Sequence, residues 1–306
     1  METASSSKAI SHIAAGGAVL FWASSFSGIR YSLQYYSPEA IMLFRFLVAS
    51  ALLLGYCACK KIPLPEKRDI PLFIAGGFAG LFLYMWAFIT GTSFASAGIS
   101  SFIISTSPIF TLILSVVFLK EKAGFLTWLG VLISLLGIAV ISLSQTQEIQ
   151  RGIGILLLLG ASVSASTFTI IQKRLLRKYT ALQCSAYSMG FAVLFMCIFL
   201  PALVRELPLA PMSANLVVVY LGVFPAAAAF SLWSYALSKA EKTVHVTSVL
   251  YLNPFLASII AFFWLGEEMP ALALVGGFII IAGMVITNFM QGRRTAQEKS
   301  AKHTQV

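Results

Sequence analysis

The second half of the chain repeats features of the first half at a fixed offset of 146 residues. The recurring pairs are Pro108 and Pro254, Glu121 and Glu267, Gly130 and Gly276, and Gly137 and Gly283. Each half also contains five apolar stretches of the length that crosses a bilayer. Because five is odd, two such halves must thread a membrane in opposite directions. Inverted repeats of this kind are typical of secondary transporters, whose substrate site lies between the repeats near the bilayer midplane.

The composition agrees with a chain that lies mostly in lipid. Hydrophobic residues make up 58% of the 306 residues and charged residues 10%, and the mean hydropathy is +0.88. A helix needs roughly 20 apolar residues to cross the hydrocarbon layer. The sequence therefore predicts an all-α polytopic membrane protein with ten transmembrane helices, arranged as two inverted five-helix repeats. The predicted spans 1 to 10 are 12–31, 38–59, 70–90, 97–119, 123–143, 152–176, 181–203, 215–238, 244–265 and 271–289.

The two repeats are predicted to follow each other without a soluble domain between them. Repeat 1 covers 12–143 and repeat 2 covers 152–290, with the short polar stretch 144–151 as the boundary. Residues 291–306 are polar and charged, which predicts a disordered cytoplasmic tail. Span 1 could instead be a cleaved signal peptide, but its removal would leave nine spans and break the repeat.

The cationic residues lie almost entirely on one side of the predicted bundle. If the N-terminus is cytoplasmic, 17 of the 21 Lys and Arg residues lie on the inner side, and only Arg30, Arg151 and Arg205 lie on the outer side. Cytoplasmic loops of membrane proteins carry an excess of Lys and Arg, so both termini are predicted to be cytoplasmic, in a plasma membrane or bacterial inner membrane. Contact with anionic headgroups accounts for the net charge of +10, and no nucleic-acid partner is predicted.

Several short motifs stand at defined places in the predicted spans. They are Trp22-Ala23-Ser24-Ser25-Phe26, Phe44-Arg45-Phe46-Leu47, Ser107-Pro108, Asn253-Pro254, Lys120-Glu121 and Gly266-Glu267. In this order they resemble the EamA-type members of the drug/metabolite transporter superfamily, over almost the whole chain. The resemblance implies a tandem fold, a central cavity between the halves, and transport, often export, of small metabolites such as amino acids. The start of repeat 2 departs from the pattern, because 160–172 has no tryptophan to match Trp22.

Hydroxyl groups and a proline share one face of span 4 and recur in span 9. Ser101, Ser105 and Pro108 stand at i, i+4 and i+7, which is one helical face. The offset of 146 gives the matching set, Thr247, Tyr251 and Pro254. A proline frees the carbonyl four residues before it, and a free carbonyl is tolerated in a membrane only beside protein or a water-filled cavity. The pattern favours kinked helices beside a polar cavity, although hydroxyls that only join two helices would give the same pattern.

Arg45 is the only charged residue well inside a predicted span. A charge at mid-bilayer costs roughly 2.5 to 3.5 kcal/mol on insertion scales, so Arg45 is expected to face the interior and to have a partner. That partner could be backbone carbonyls, a tyrosine such as Tyr187, or an anionic group of the substrate. Alternatively, Arg45 could extend towards the membrane surface and brace the fold.

Aromatic residues within the spans are candidates for a pocket, with anchoring at the membrane interface as the alternative. Trp22 stands out, since it lies about halfway along span 1. The predicted substrate-binding residues are Trp22, Ser25, Arg45, Tyr84, Ser101, Ser105, Trp233, Thr247, Tyr251 and Asn253, with helix kinks at Pro108 and Pro254.

The sequence argues against an intramembrane enzyme. Three histidines lie far apart, the only aspartate is Asp69 in a loop, and no cofactor or metal motif is present. Glu121 and Glu267 end helices on opposite faces and are predicted to be structural. The sequence thus predicts a transporter, with export as the favoured direction, of small neutral or zwitterionic metabolites by alternating access, in an undetermined oligomeric state. A passive facilitator or channel is the alternative, because no buried acid is available to carry protons.

Overall fold

The computed structural model describes residues 2–119, 124–143, 149–239 and 248–267, together with 271–272, 274–283 and 285–286. Within these ranges all regular structure is helical. The α-helices are α1 Glu2–Ser32, α2 Pro38–Cys59, α3 Ile70–Ala75, α4 Leu83–Ser93, α5 Ala97–Ile104, α6 Ser107–Leu119, α7 Phe125–Leu143, α8 Ile149–Leu175, α9 Ala181–Met196, α10 Leu200–Glu206, α11 Met212–Leu221, α12 Ala229–Lys239, α13 Asn253–Leu265 and α14 Leu274–Gly283.

Six helical stretches in the described part of the chain are long and apolar enough to cross a membrane. They are Pro38–Cys59, Ile70–Ser93, Ala97–Phe118, Gly152–Leu175, Ala181–Glu206 and Met212–Lys239. Three shorter apolar helices accompany them, at Trp128–Gly137, Asn253–Leu265 and Leu274–Gly283. The protein is therefore a polytopic all-α membrane protein, while the total of ten spans stays a prediction.

Polar side chains fix where several of these helices begin. Ser37 accepts a hydrogen bond from the Ala40 amide at the start of α2, and Ser96 does the same for the Ile99 amide at the start of α5. Thr180 and Gln183 form a reciprocal capping box at the start of α9. Such caps satisfy amides that have no partner within the helix, which matters most near an apolar membrane.

The helix packing follows the offset of 146 residues. Helix α1 packs against α12 and α13, and α8, which holds the equivalent position in the second half, packs against α4 and α6. Helix α2 packs against α9, so the second span of each half meets the other. Exchanging the two halves therefore maps the contacts of α1 onto those of α8, and maps the contact between α2 and α9 onto itself.

Two seven-residue π-helical segments occupy equivalent positions in the two halves. The first, Gly76–Phe82, joins α3 to α4, and the second, Gly222–Ala228, joins α11 to α12. Their bounds differ by 146 residues. The residue directly after each segment donates its backbone N–H to the carbonyl five positions before it. Leu83 bonds to Phe78 in this way, and Ala229 bonds to Phe224. π-Helical turns of this kind are rare and are frequent at functional sites.

The two halves also break their fourth helix at equivalent places. Helix α5 ends at Ile104 and α6 starts at Ser107, directly before Pro108. In the second half the 3₁₀ segment Ser248–Leu252 gives way to α13, whose first turn contains Pro254. The Ser107 hydroxyl donates to the Ile104 carbonyl at 2.6 Å. The carbonyl that the proline frees is thus satisfied within the chain.

Helices α7 and α14 meet along a seam where backbone touches backbone. A Cβ atom built on Gly137 would lie 2.6 Å from the Gly276 carbonyl oxygen, and one built on Gly283 would lie 2.5 Å from the Gly130 carbonyl oxygen. Adding 146 to Gly137 gives Gly283, and subtracting 146 from Gly276 gives Gly130. The two contacts are therefore equivalent under the repeat. The Ser134 hydroxyl donates to the Ile280 carbonyl at 3.1 Å in the same seam. Glycine is required here because any side chain would force the helices apart.

Candidate substrate cavity

A cavity of about 90 Å³ lies between the two halves of the chain. It is lined by one cation, by aromatic rings and by small hydroxyl residues. The lining residues are Trp22, Ser25, Phe26, Arg45, Gly80, Leu81, Tyr84, Phe88, Ile104, Ser105, Ser107, Pro108, Thr111, Ala165, Phe168, Thr169, Phe230, Trp233, Leu250 and Asn253. The mixed lining fits a site for a small organic molecule.

Residues at equivalent positions of the two halves line this cavity together. Four pairs that differ by 146 residues contribute both members to the lining. These pairs are Trp22 and Phe168, Tyr84 and Phe230, Ile104 and Leu250, and Ser107 and Asn253. The cavity wall is therefore built from corresponding parts of both halves.

Most of the predicted binding residues line this cavity. The lining includes Trp22, Ser25, Arg45, Tyr84, Ser105, Trp233 and Asn253, and also Pro108. Ser101 is not among the lining residues; its buried hydroxyl donates to the Gly98 carbonyl at 2.6 Å. Pro254 is buried in the first turn of α13 and is not among the lining residues. Thr247 and the side chain of Tyr251 lie outside the described residues.

The sequence prediction omitted several lining residues that the repeat could have identified. Phe168, Phe230 and Ser107 stand 146 residues from Trp22, Tyr84 and Asn253. Phe168 was missed because only a tryptophan was sought as the equivalent of Trp22, whereas the property that the two positions share is an aromatic ring. Applying the offset to each candidate would have added all three residues.

A cluster of aromatic rings forms one side of the wall. The ring centroids of Trp22 and Trp233 are 5.1 Å apart, and Phe230 meets Trp22 edge-on at 5.4 Å. The indole N–H of Trp22 donates to the Pro225 carbonyl at 3.0 Å, within the second π-helical segment. This bond ties α1 of the first half to the second half. Such a wall suits an apolar or planar group of a ligand.

Several serine and threonine hydroxyls of the wall already donate their hydrogens to the backbone. Ser25 donates to the Trp22 carbonyl at 2.7 Å, and Ser105 donates to the Ser101 carbonyl at 2.7 Å. Thr169 likewise bonds to the Ala165 carbonyl at 3.0 Å. A hydroxyl whose hydrogen is engaged can still accept a hydrogen bond from a ligand. These groups therefore present acceptors to the cavity.

Arg45 and Asn253 are the two buried lining residues with polar atoms unpaired among the described residues. Arg45 is 1% exposed, and its Nε and Nη1 atoms are buried without a hydrogen-bond partner in the described part of the chain. Asn253 is 4% exposed, and its Oδ1 atom is unpaired in the same sense. An unpaired buried polar group is costly. Both side chains are thus available for a ligand.

Two of the alternatives considered for Arg45 disagree with its surroundings. Its burial is incompatible with extension towards the membrane surface. Tyr187, considered as a partner, instead donates to the Pro63 carbonyl at 3.0 Å, in the loop before α3. The positions of the spans alone could not predict that the loop before α3 brings the Pro63 carbonyl to the Tyr187 hydroxyl.

A polar network bridges the two halves at one end of the bundle. Glu267, directly after α13 and Gly266, accepts the Ala97 amide at 2.9 Å and lies 3.5 Å from Arg30. Arg30 in turn donates to the Ser93 carbonyl at 3.1 Å. We call Arg30, Ala97 and Glu267 the end bridge. Glu267 therefore links the end of α1 and the start of α5, both in the first half, to the second half.

The opposite end carries a second link between the halves. Lys178 and Tyr179 donate to the Asp69 carboxylate at 2.7 Å and 2.6 Å. These two hydrogen bonds hold the pKa of the Asp69 carboxyl below its usual value. A carboxyl with a lowered pKa stabilises the fold above its ordinary pKa, and this contribution is lost as acid protonates it. The Lys178 ammonium beside Asp69 has a raised pKa for the same reason.

Comparison with known proteins decides the family. The model of the EamA-like transporter family matches residues 9–143 and again residues 152–289. The chain belongs to the EamA-like transporter family. It is thus a multi-pass membrane transporter, with the lipid bilayer as its surroundings and a small molecule as its substrate. The family and the names of its relatives indicate transport and not enzymatic catalysis.

Two bacterial relatives match most of the EamA chain. The Bacillus subtilis transporter YdfC is 36% identical over 266 residues, covering 87% of both chains. A Streptantibioticus cattleyicolor protein, named "probable terminal-alkyne amino-acid exporter", is 34% identical over 270 residues, covering 88% of this chain and 90% of the relative.

A solved crystal structure of a protein that is 16% identical in sequence superposes on this chain with a TM-score of 0.64, over 92% of this chain and 95% of the other. At that identity the likeness concerns the fold alone.

Proposed function

We propose that this protein exports small neutral or zwitterionic metabolites, amino acids or similar molecules, across the plasma membrane by alternating access. The observation that carries the proposal is the cavity between the halves, which combines an aromatic wall, hydroxyl acceptors and the single cation Arg45. A site for a multivalent anion would need more than one cation. The name of the Streptantibioticus cattleyicolor relative points to the same substrate class and direction.

The mechanism requires that the two halves form inverted repeats around the cavity. Three independent features of the described residues support this arrangement: the matched π-helical segments, the matched helix breaks at Pro108 and Pro254, and the exchanging glycine contacts of α7 and α14. The separate family matches to 9–143 and 152–289 agree with it. Rocking of one half against the other would then expose the site to either side in turn.

The orientation in the membrane can be tested with two matched leucines in loops at opposite ends of the bundle. Leu209, after α10, is 80% exposed, and Leu64, before α3, is 79% exposed. Because the basic residues predict Leu209 outside, a cysteine there is expected to react with an impermeant maleimide in intact cells. A cysteine at Leu64 is expected to react only after lysis. The reverse pattern would contradict cytoplasmic termini. The exposed native Cys59 and Cys197 are first replaced by serine.

Transport itself is tested with purified protein in proteoliposomes loaded with a panel of labelled metabolites. Alternating access predicts counterflow, in which an excess of unlabelled substrate on one side drives labelled substrate from the other side above its equilibrium level. An imposed proton gradient then tests coupling. Simple equilibration without counterflow would favour the passive facilitator, and failure with every member of the panel would contradict the proposal.

A further inference from the structure

The second π-helical segment, Gly222–Ala228, passes over one backbone carbonyl. The Ala229 amide directly after it donates to the carbonyls of Phe224 and Ala226, five and three positions before it. In an α-helix the same amide would donate to the carbonyl four positions before it, which is that of Pro225. The Pro225 carbonyl thus loses its helical donor. Within a membrane a carbonyl without a donor costs free energy, so it needs a hydrogen bond from elsewhere.

Trp22 of α1 supplies that hydrogen bond. Its indole N–H donates to the Pro225 carbonyl at 3.0 Å, in place of the Ala229 amide that an α-helix would use. A second polar contact holds α1 against the same stretch, because the hydroxyl oxygens of Ser24 and Tyr220 lie 2.7 Å apart. The bond from Trp22 therefore stabilises the π-helical register of the segment against the α-helical one.

The first π-helical segment is held in a different way. The residue equivalent to Trp22 is Phe168, whose side chain has no N–H to donate. It packs instead against Gly80, where an added Cβ would lie 2.6 Å from the Phe168 Cβ. The residue equivalent to Gly80 is Ala226, whose methyl group prevents so close an approach in the second half. The second segment thus has a hydrogen bond where the first has close packing.

The register of the second segment decides which side chains of α12 face the cavity. A π-helical turn inserts one extra residue into a helix, so its loss would turn the residues beyond it by one position, about 100° around the helix axis. Phe230 and Trp233 lie just beyond the segment and line the cavity. Their rings contact the Trp22 ring at centroid distances of 5.4 Å and 5.1 Å. In an α-helical register both rings would turn away from the wall.

We propose that Trp22 is a positioning residue, which holds the second π-helical segment in register through its bond to the Pro225 carbonyl and thereby keeps Phe230 and Trp233 in the cavity wall. This role belongs to the indole N–H and is separate from any contact between the ring and a ligand. The inference rests on the proposed function only in taking the cavity as the substrate site, because the register is a property of the protein without a ligand.

The register can be measured by cross-linking α1 to α12 in the full-length protein. An added Cβ at Gly17 would lie 3.4 Å from Leu232 Cδ1, so the pair Gly17→Cys and Leu232→Cys is expected to react with a short bifunctional thiosulfonate. In an α-helical register Ser231 would take the place of Leu232, and the pair Gly17→Cys and Ser231→Cys would react instead. Both pairs are made with the exposed Cys59 and Cys197 replaced by serine, and mass spectrometry gives the cross-linking yields.

Two replacements of Trp22 remove the N–H group. Trp22→Phe keeps an aromatic ring, and benzothienylalanine, incorporated at position 22 through a stop codon, keeps the shape of the indole with sulfur in place of the N–H. Each is expected to lower the ratio of the Leu232 cross-link to the Ser231 cross-link by about tenfold, because a buried acceptor left without a donor typically costs that much. The control is Trp264→Phe in α13, where the side chain is exposed, and it should leave the ratio unchanged.

The benzothienylalanine protein decides the outcome if Trp22→Phe does not fold. An unchanged ratio in that protein would overturn the proposal. Loss of both cross-links would overturn it as well, since a purely structural role of Trp22 predicts a general loosening of α1 from α12. The ratio is measured without substrate and is therefore independent of transport. A shifted ratio without counterflow would support the positioning role and contradict the proposed function, whereas counterflow with an unchanged ratio would do the reverse.

Discussion

Adding one methyl group at Gly283 or at Gly137 is expected to destabilise the protein by about 1 to 3 kcal/mol, the usual cost of overpacking. The new Cβ at Gly283 would lie 2.5 Å from the Gly130 carbonyl oxygen, and the one at Gly137 would lie 2.7 Å from the Ile280 amide nitrogen. These are backbone atoms of a facing helix, so a change of side-chain rotamer cannot relieve the clash. Helices α7 and α14 would have to separate along their whole contact.

The matched control is Gly160→Ala in α8, where nothing lies within 4 Å of the added Cβ. Alanine is a better helix former than glycine by up to about 1 kcal/mol, so this control should be neutral or slightly stabilised. Thermal unfolding in detergent, followed by the loss of monodisperse protein, compares the three variants. If Gly137→Ala and Gly283→Ala melted at the same temperature as Gly160→Ala, then α7 and α14 could separate without loss of stability. That result would contradict a structural role for their contact.

Locking the end bridge is expected to abolish transport almost completely and reversibly. The Glu267 carboxylate contacts the Ala97 amide at 2.9 Å, so cysteines at these two positions lie within reach of a short bifunctional thiosulfonate. If alternating access requires this end to open, a covalent link between the halves there leaves the cavity accessible from one side only. Reduction of the link should restore the rate.

The controls for the locked protein are the two single-cysteine variants treated with the same reagent, which should keep transporting. Counterflow in proteoliposomes measures the effect before and after a reductant. A passive facilitator, which needs no exchange between two states, would continue to conduct with the link in place. If the cross-linked double variant transported at an unchanged rate, that result would therefore contradict alternating access.

Much of the site could be predicted because a membrane leaves few roles for polar residues. Arg45 was identified as the only charge well inside a predicted span and Asn253 from the Asn253-Pro254 motif, and both line the cavity. Ser101 was selected because a continuous helix would place it on the face of Ser105. Helix α5 ends at Ile104, and the lining contributed by this part of the chain begins there with Ile104, Ser105 and Ser107, whereas Ser101, one turn earlier, does not belong to it. Periodicity describes one straight helix and carries no information about how a break reorients the residues beyond it.

The π-helical segments could not be predicted from the sequence. Gly76–Phe82 and Gly222–Ala228 are apolar and resemble ordinary parts of spans 3 and 8. An α-helix and a π-helix share the same hydrophobic residues, and tertiary packing decides between them. At Gly77 a Cβ would lie 2.9 Å from the Ala192 amide nitrogen, so close approach of α9 shapes the first segment. Such contacts between distant parts of the chain are absent from any local pattern.

The matched walls of the cavity have a consequence for how a bound molecule is oriented. Two identical halves would offer every ligand two poses of equal energy, one turned end for end relative to the other. Here the position 146 residues after Arg45 is Phe191, and Asn253 corresponds to Ser107. The halves have stayed alike where backbone meets backbone, at Gly137 and Gly283, and have diverged at the wall. If the halves are inverted repeats, we expect this difference to make the two poses unequal in energy, so that an asymmetric molecule binds in a single direction.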